Sequence, residues 1–170
     1  PVFLYRNQQD FARATGRERP GEVLGRASSQ GFVELEASEV FGHAEQIAGH
    51  EIVHVVIFRI LGPKSRSLPL WVNEGTAKFL TSDWDTVDRA ILADAVVEGK
   101  LIPLPSFVRG FPSGEGQALA YAESVSAVGF FVKSYGESAL ARLIHATGRA
   151  GTFDAAIRGG ATARIVQEWR

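Results

Sequence analysis

His50 and His54 stand four residues apart, and Glu51 directly follows the first of them. On a helix, residues four apart lie on one face, one turn from each other. Two imidazoles so placed can reach a single metal ion of the zinc type at about 2.0–2.1 Å. The Glu51 carboxylate projects beside that ion, where it can accept the proton of an activated water molecule. The chain has no cysteine, so a metal site must be made from histidines and carboxylates. The plain alternative is an amphipathic helix that happens to carry two histidines. Ile52, Val53, Val55, Val56, Ile57 and Phe58 make the segment apolar nearly all round, which predicts a buried helix. Buried there, His50, Glu51 and His54 must be satisfied, and a metal ion does that in one step.

A catalytic zinc takes three protein ligands and keeps one position open. The search for a third leads to Glu74 in Trp71-Val72-Asn73-Glu74-Gly75-Thr76-Ala77, about one turn into the next helical segment. The loop over residues 62–68 lets that second helix fold back against the first. A charged side chain between Val72 and Ala77 on an otherwise apolar helix needs a partner. The alternative is a surface glutamate favoured by the helix dipole.

These residues need elements to position them. Residues 2–5 read as a short strand and 8–15 as a short helix with Phe11 and Ala12 inward. Residues 16–25 are polar and rich in Gly and Pro, which predicts a loop. Residues 31–37 alternate as a half-buried strand, with Phe32 and Glu34 on one face and Val33 and Leu35 on the other. This strand is also a place where an extended substrate could add by backbone pairing, although simple sheet structure is the preferred reading. From about residue 39 to 61 the period becomes helical through Ile47, His50, His54, Ile57 and Leu61, and Gly62-Pro63 stops it. Further helices are expected from residue 69 or 70 to about 80, over 85–98 with Gly99 as the stop, over 117–135, over 137–147 ended by Gly148, and over 152–157 and 161–169. Residues 102–116 hold three prolines and three glycines and predict a long loop, a place where substrate-shaping walls are often found. Early strands followed by many helices predict an α+β fold with a small N-terminal antiparallel sheet.

The 170 residues, 45% hydrophobic and 22% charged, fit one domain spanning 1–170 with a sizeable core. A net charge of −1 gives no reason to expect nucleic acid or an anionic membrane as partner. No apolar run is long enough for a membrane span. The chain begins with Pro1 and contains no Met, so it is read as a piece of a longer chain. His43 is expected to be a helix-start or surface residue, and His145 a structural one. The Lys64-Ser65-Arg66 run is expected to be a solvated loop. Trp71 is expected to pack where the two metal helices meet, with Trp84 and Trp169 as core or docking residues.

The motif at 50–54, followed after nineteen intervening residues by Glu74 in Trp-Val-Asn-Glu-Gly-Thr-Ala, resembles the gluzincin zinc metallopeptidases. It is similar to the small peptidase-MA-like domains and, more distantly, to the zinc aminopeptidases and thermolysin-like enzymes. The resemblance implies a zincin-type helical bundle, one Zn²⁺ per chain on His50, His54 and Glu74, and Glu51 as general base. It also implies a peptide or protein substrate, and it carries the expectation of a secreted or membrane-anchored protein. Residues 120–124 with Tyr135-Gly136 resemble the family segment in which a tyrosine donates to the oxyanion of the tetrahedral intermediate, which makes Tyr121 the candidate; the alternative is a tyrosine that packs its ring in the core with its hydroxyl at the surface. Two features depart from the pattern. No Gly-Ala-Met-Glu-Asn-type segment, which grips a free amine in the aminopeptidases, occurs over residues 31–49, and this favours an endopeptidase. Lys78 stands four after Glu74, where thermolysin-like enzymes carry an acidic residue that supports the ligands. The competing expectation is a binding module of the same fold that holds zinc without turnover.

Overall fold

A computed structural model of the protein describes residues 1–16, 24–37, 44–157 and 169. His43 and all of the helix expected over 161–169 except Trp169 lie outside them. The chain divides into two compact units, Pro1–Arg59 and Ile60–Arg170.

The first unit holds β1 (Val2–Tyr5), α1 (Gln8–Thr15), β2 (Gly25–Ala27), β3 (Val33–Glu36) and most of α2 (Ala44–Leu61). Helix α1 starts where the Asn7 side chain accepts the Asp10 N–H at 2.9 Å, an N-cap that satisfies one of the orphan donors of the first turn. The sheet order is β1-β3-β2. It is mixed and not purely antiparallel as expected: β1 runs parallel to β3, while β2 pairs antiparallel with it. A parallel neighbour is possible because α1 and β2 intervene between β1 and β3 and carry the chain back. The three-residue β2 falls at the end of a stretch read as loop, because Gly-Arg-Ala carries no alternation to detect.

Strand β3 is central, so both its edges are taken and it cannot receive a substrate strand. All four of its residues are buried, where half-burial was expected. The two faces are as the alternation predicts. Val33 and Leu35 pack with Val55 of α2, joined by Ala27, Ile47 and Ala48, each fully buried side chain contributing about 1.5–3 kcal/mol. The opposite face is covered instead of solvated. There Glu34 is paired with Arg26 and accepts the Tyr5 hydroxyl at 3.0 Å.

That hydroxyl gives a first prediction. Burial, then the hydrogen bond and charge of Glu34, raise the Tyr5 phenol above its ordinary pKa, with Arg26 pulling the other way. A raised phenol pKa means that the neutral donor is the stabilised form. Its contribution is complete below the ordinary phenol pKa and disappears as pH rises through the raised one. Tyr5→Phe is expected to cost about 1.5 kcal/mol in urea unfolding at neutral pH, and the gap from wild type should close only in strong alkali.

The second unit contains a 3-10 turn (Gly62–Ser67), α3 (Leu70–Leu80), α4 (Thr86–Glu98), a 3-10 turn (Leu104–Phe107), α5 (Glu115–Tyr135), α6 (Glu137–Ala150) and α7 (Phe153–Ile157). Its core joins Trp71, Val72 and Ala77 of α3 to Ala120, Val125, Val128 and Phe131 of α5 and to Leu140, Leu143 and Ile144 of α6. Trp71 meets Phe153 of α7 edge-on, with ring centroids 5.9 Å apart. Helix α6 does not end at Gly148. It runs to Ala150, and Gly151 takes the left-handed cap at φ 81°. Gly148 serves packing instead, since a Cβ there would lie 3.2 Å from Leu61 Cδ2. The expected loop over 102–116 is pinned in its first half, where it forms the 3-10 turn Leu104–Phe107. Leu104 and Phe107 are buried, and the Ile102 N–H donates to the buried Glu123 carboxylate at 2.7 Å. His145 is exposed on α6, and Trp169 donates its indole N–H to Ser126 Oγ at 3.2 Å. No helix of the described residues is long and apolar enough to cross a membrane.

Candidate metal centre

Five β-branched residues, Ile52, Val53, Val55, Val56 and Ile57, lie within six positions of α2, interrupted only by His54. Such residues are poor helix formers in isolation. Packing of Val55 on Val33 and Leu35 therefore does more for this helix than local propensity. The burial is one-sided. His54, Val55 and Ile57 are buried, but Ile52 and Val56 are 47% and 48% exposed, so the helix is not enclosed all round as its composition predicts.

On α2 the two histidines converge. Their Nε2 atoms are 3.0 Å apart, and the rings meet edge-to-face with centroids at 4.7 Å. Phe58 stacks on the His54 ring one turn on. Two imidazole nitrogens bound tetrahedrally at about 2.0–2.1 Å would lie about 3.3 Å apart. The observed separation is close to that value, and a small adjustment of either ring would match it. Glu51, half-buried, sits on the same helix beside β2, close to Gly25.

Glu74 is the fifth residue of α3, as the sequence reading has it, and is half-buried. The rotation of α3 about its axis is fixed at Gly75. A Cβ there would fall 2.3 Å from the Ser124 carbonyl oxygen and 2.9 Å from Val128 Cγ2 on α5. The two helices thus touch backbone to backbone immediately beside Glu74.

Tyr121 is half-buried on α5. Phe111 packs edge-on against its ring at 4.8 Å, and Phe107 against Phe111 at 5.3 Å. Lys78 Nζ lies 5.9 Å from the centre of the Tyr121 ring. The same ammonium is held by Asp83 at 3.2 Å and Asp88 at 3.1 Å. The departure noted at Lys78 is therefore a mostly buried cation with two carboxylates of its own.

The family model of the Peptidase MA superfamily matches residues 23–170. The chain belongs to the peptidase MA superfamily. Neither the curated proteins nor the solved structures contain a match.

Within this peptidase MA domain the match begins two residues before β2, and it includes α2, α3 and α5 with every candidate residue. The superfamily is generally zinc-associated. Among the described residues, His50, His54 and Glu74 are the set of three His and carboxylate side chains that could hold a metal ion. Two neutral imidazoles and one carboxylate are the donor chemistry that zinc accepts, with one position left over. Sequence reasoning missed Gly25, Phe111 and the Asp83–Lys78–Asp88 group. Gly25 and Phe111 stand in segments read as loop, and the partners of Lys78 follow only from how α3 meets the start of α4.

Proposed function

We propose that this peptidase MA domain is a zinc-dependent endopeptidase, with His50, His54 and Glu74 as metal ligands, Glu51 as general base and Tyr121 as oxyanion donor. The observation that carries the reading is the convergence of the two Nε2 atoms at 3.0 Å on one helix face. Membership of the superfamily and the His-His-Glu donor set support it. Zinc held there would supply Lewis acidity, polarising a carbonyl and acidifying a water. Glu51 takes the proton of the attacking water and returns it to the leaving amine. Tyr121 donates its hydroxyl to the developing oxyanion, its ring steadied by Phe111. The substrate backbone pairs with the outer edge of β2, the sheet edge beside Glu51. The lack of an amine-gripping segment over residues 31–49 favours cleavage within a chain over removal of its first residue.

Metal analysis and a digest test this together. The purified protein should hold close to one zinc per chain, lost in His50→Ala or His54→Ala, and should cleave casein until a chelator is added. Protein without metal, whose unfolding a chelator leaves unchanged, would overturn the metal site. Bound zinc with intact casein would favour the binding-module reading.

A further inference from the structure

We propose that Gly25 is a positioning residue for Glu51, its missing side chain being what lets the β2 edge pass beside the carboxylate-bearing turn of α2. The proposal rests on Glu51 being the general base, but its geometric half does not.

Gly25 is buried and lies opposite Leu35 in the β2–β3 register. Its backbone has no positive φ, so a larger residue could adopt the same conformation. The demand for glycine is one of space. A Cβ at this position would lie 2.9 Å from Ile47 Cγ2, 3.0 Å from Glu51 Cγ and 3.1 Å from Leu35 Cδ2. Ile47 and Glu51 are four apart, on one face of α2, so β2 crosses the helix at the turn that carries the base. The three neighbours differ in how readily they yield. Leu35 is 3% exposed, and Ile47 packs against its cluster. Leu35 has no room to move in a close-packed interior, and Ile47, itself half-buried, is β-branched and stiff at χ1. Glu51 is half-buried and long, so it is the side chain a new methyl would displace.

The strand's hydrogen bonding gives this close approach a purpose. The Leu24 carbonyl accepts from Glu36 N–H, and Ser28 N–H donates to the Phe32 carbonyl. By the alternation of an antiparallel ladder, the N–H and C=O of Gly25 then point away from β3, to the outer edge. Gly25 thus turns its peptide group to the outer edge of β2 with no side chain beside it and leaves Glu51 its place there. A side chain at 25 would push the carboxylate away from the bond to be cleaved.

The test is Gly25→Ala made in wild type and in Glu51→Ala, where the Cγ is gone. In wild type the Tm should fall by about 5 °C, the usual effect of overpacking in a chain of this size. In the Glu51→Ala background the fall should be clearly smaller. Zinc content should stay near one per chain, while kcat for casein falls about tenfold to a hundredfold, as for a misplaced catalytic group, with KM little changed. Equal falls of Tm in the two backgrounds, or a Gly25→Ala protein with wild-type kcat, would overturn the proposal. Should Gly25→Ala not fold, Gly25→Ala with Ile47→Ala relieves the contact at 2.9 Å and keeps the one at Glu51. If the Tm coupling holds but zinc-loaded wild type cleaves nothing, the contact stands and the base role of Glu51 falls.

Discussion

Glu51→Gln is expected to keep close to one zinc per chain and to lower kcat/KM for casein cleavage by about 10²–10⁴-fold. The amide has the shape of the carboxylate, so the approach of β2 at Gly25 is undisturbed. His50 and His54 keep their convergence on α2. What the amide lacks is the capacity to take a proton. The loss corresponds to about 3–5 kcal/mol of transition-state stabilisation. Zinc analysis and steady-state kinetics on one preparation separate the outcomes. Unchanged turnover would remove Glu51 from the mechanism, and loss of zinc would make it a support for the histidines instead.

Gly75→Ala is expected to be the most damaging single methyl in the second unit. The new Cβ would stand 2.3 Å from the Ser124 carbonyl oxygen and 2.7 Å from its carbon. These are backbone atoms inside α5, and Ser124 is fully buried, so no flexible side chain can absorb the clash. Helix α3 must lift off α5 or turn about its axis. The cost should be about 3 kcal/mol or more, a fall in Tm of about 6–12 °C. Because Glu74 is the neighbouring residue, the variant should also release zinc at lower chelator concentration than wild type. Gly129→Ala on α5 is the control. Its Cβ would find only Phe79 carbons at 3.6 Å, an ordinary contact, and alanine is the better residue inside a helix by about 0.5–1 kcal/mol. Melting curves should therefore move in opposite directions. A Gly75→Ala protein as stable as wild type would mean that α3 and α5 do not touch at the backbone.

Much of this was legible in the chain itself. The spacing of His50, Glu51 and His54 and the setting of Glu74 announced a two-helix donor set, and α3 and α4 appear within a residue or so of the expected bounds. Helical periodicity and its stops are local signals, written in residues three and four apart and in the glycines that follow. The alternation over 31–37 likewise assigned Val33 and Leu35 to one face and Glu34 to the other, and the sheet keeps that assignment.

The tertiary structure decided what local pattern cannot carry. Which strand lies beside which is a non-local choice, so the parallel β1–β3 pair and the short β2 emerged only in the fold. The same holds for the second covered face of β3 and the exposure of Ile52 and Val56 on a helix that looks apolar all round. The glycines show the division most clearly. A sequence reads glycine as a turn or a stop, which predicts a helix end at Gly148, yet α6 runs through it. Gly25 and Gly75 are there because another chain segment passes too close for a Cβ, and at Gly148 Leu61 leaves only a tight fit for one. The identity and spacing of the groups proposed to bind metal and accept a proton are thus determined by the sequence alone. Their aim is set by these close approaches, because a side chain's direction depends on backbones that meet it from distant parts of the chain.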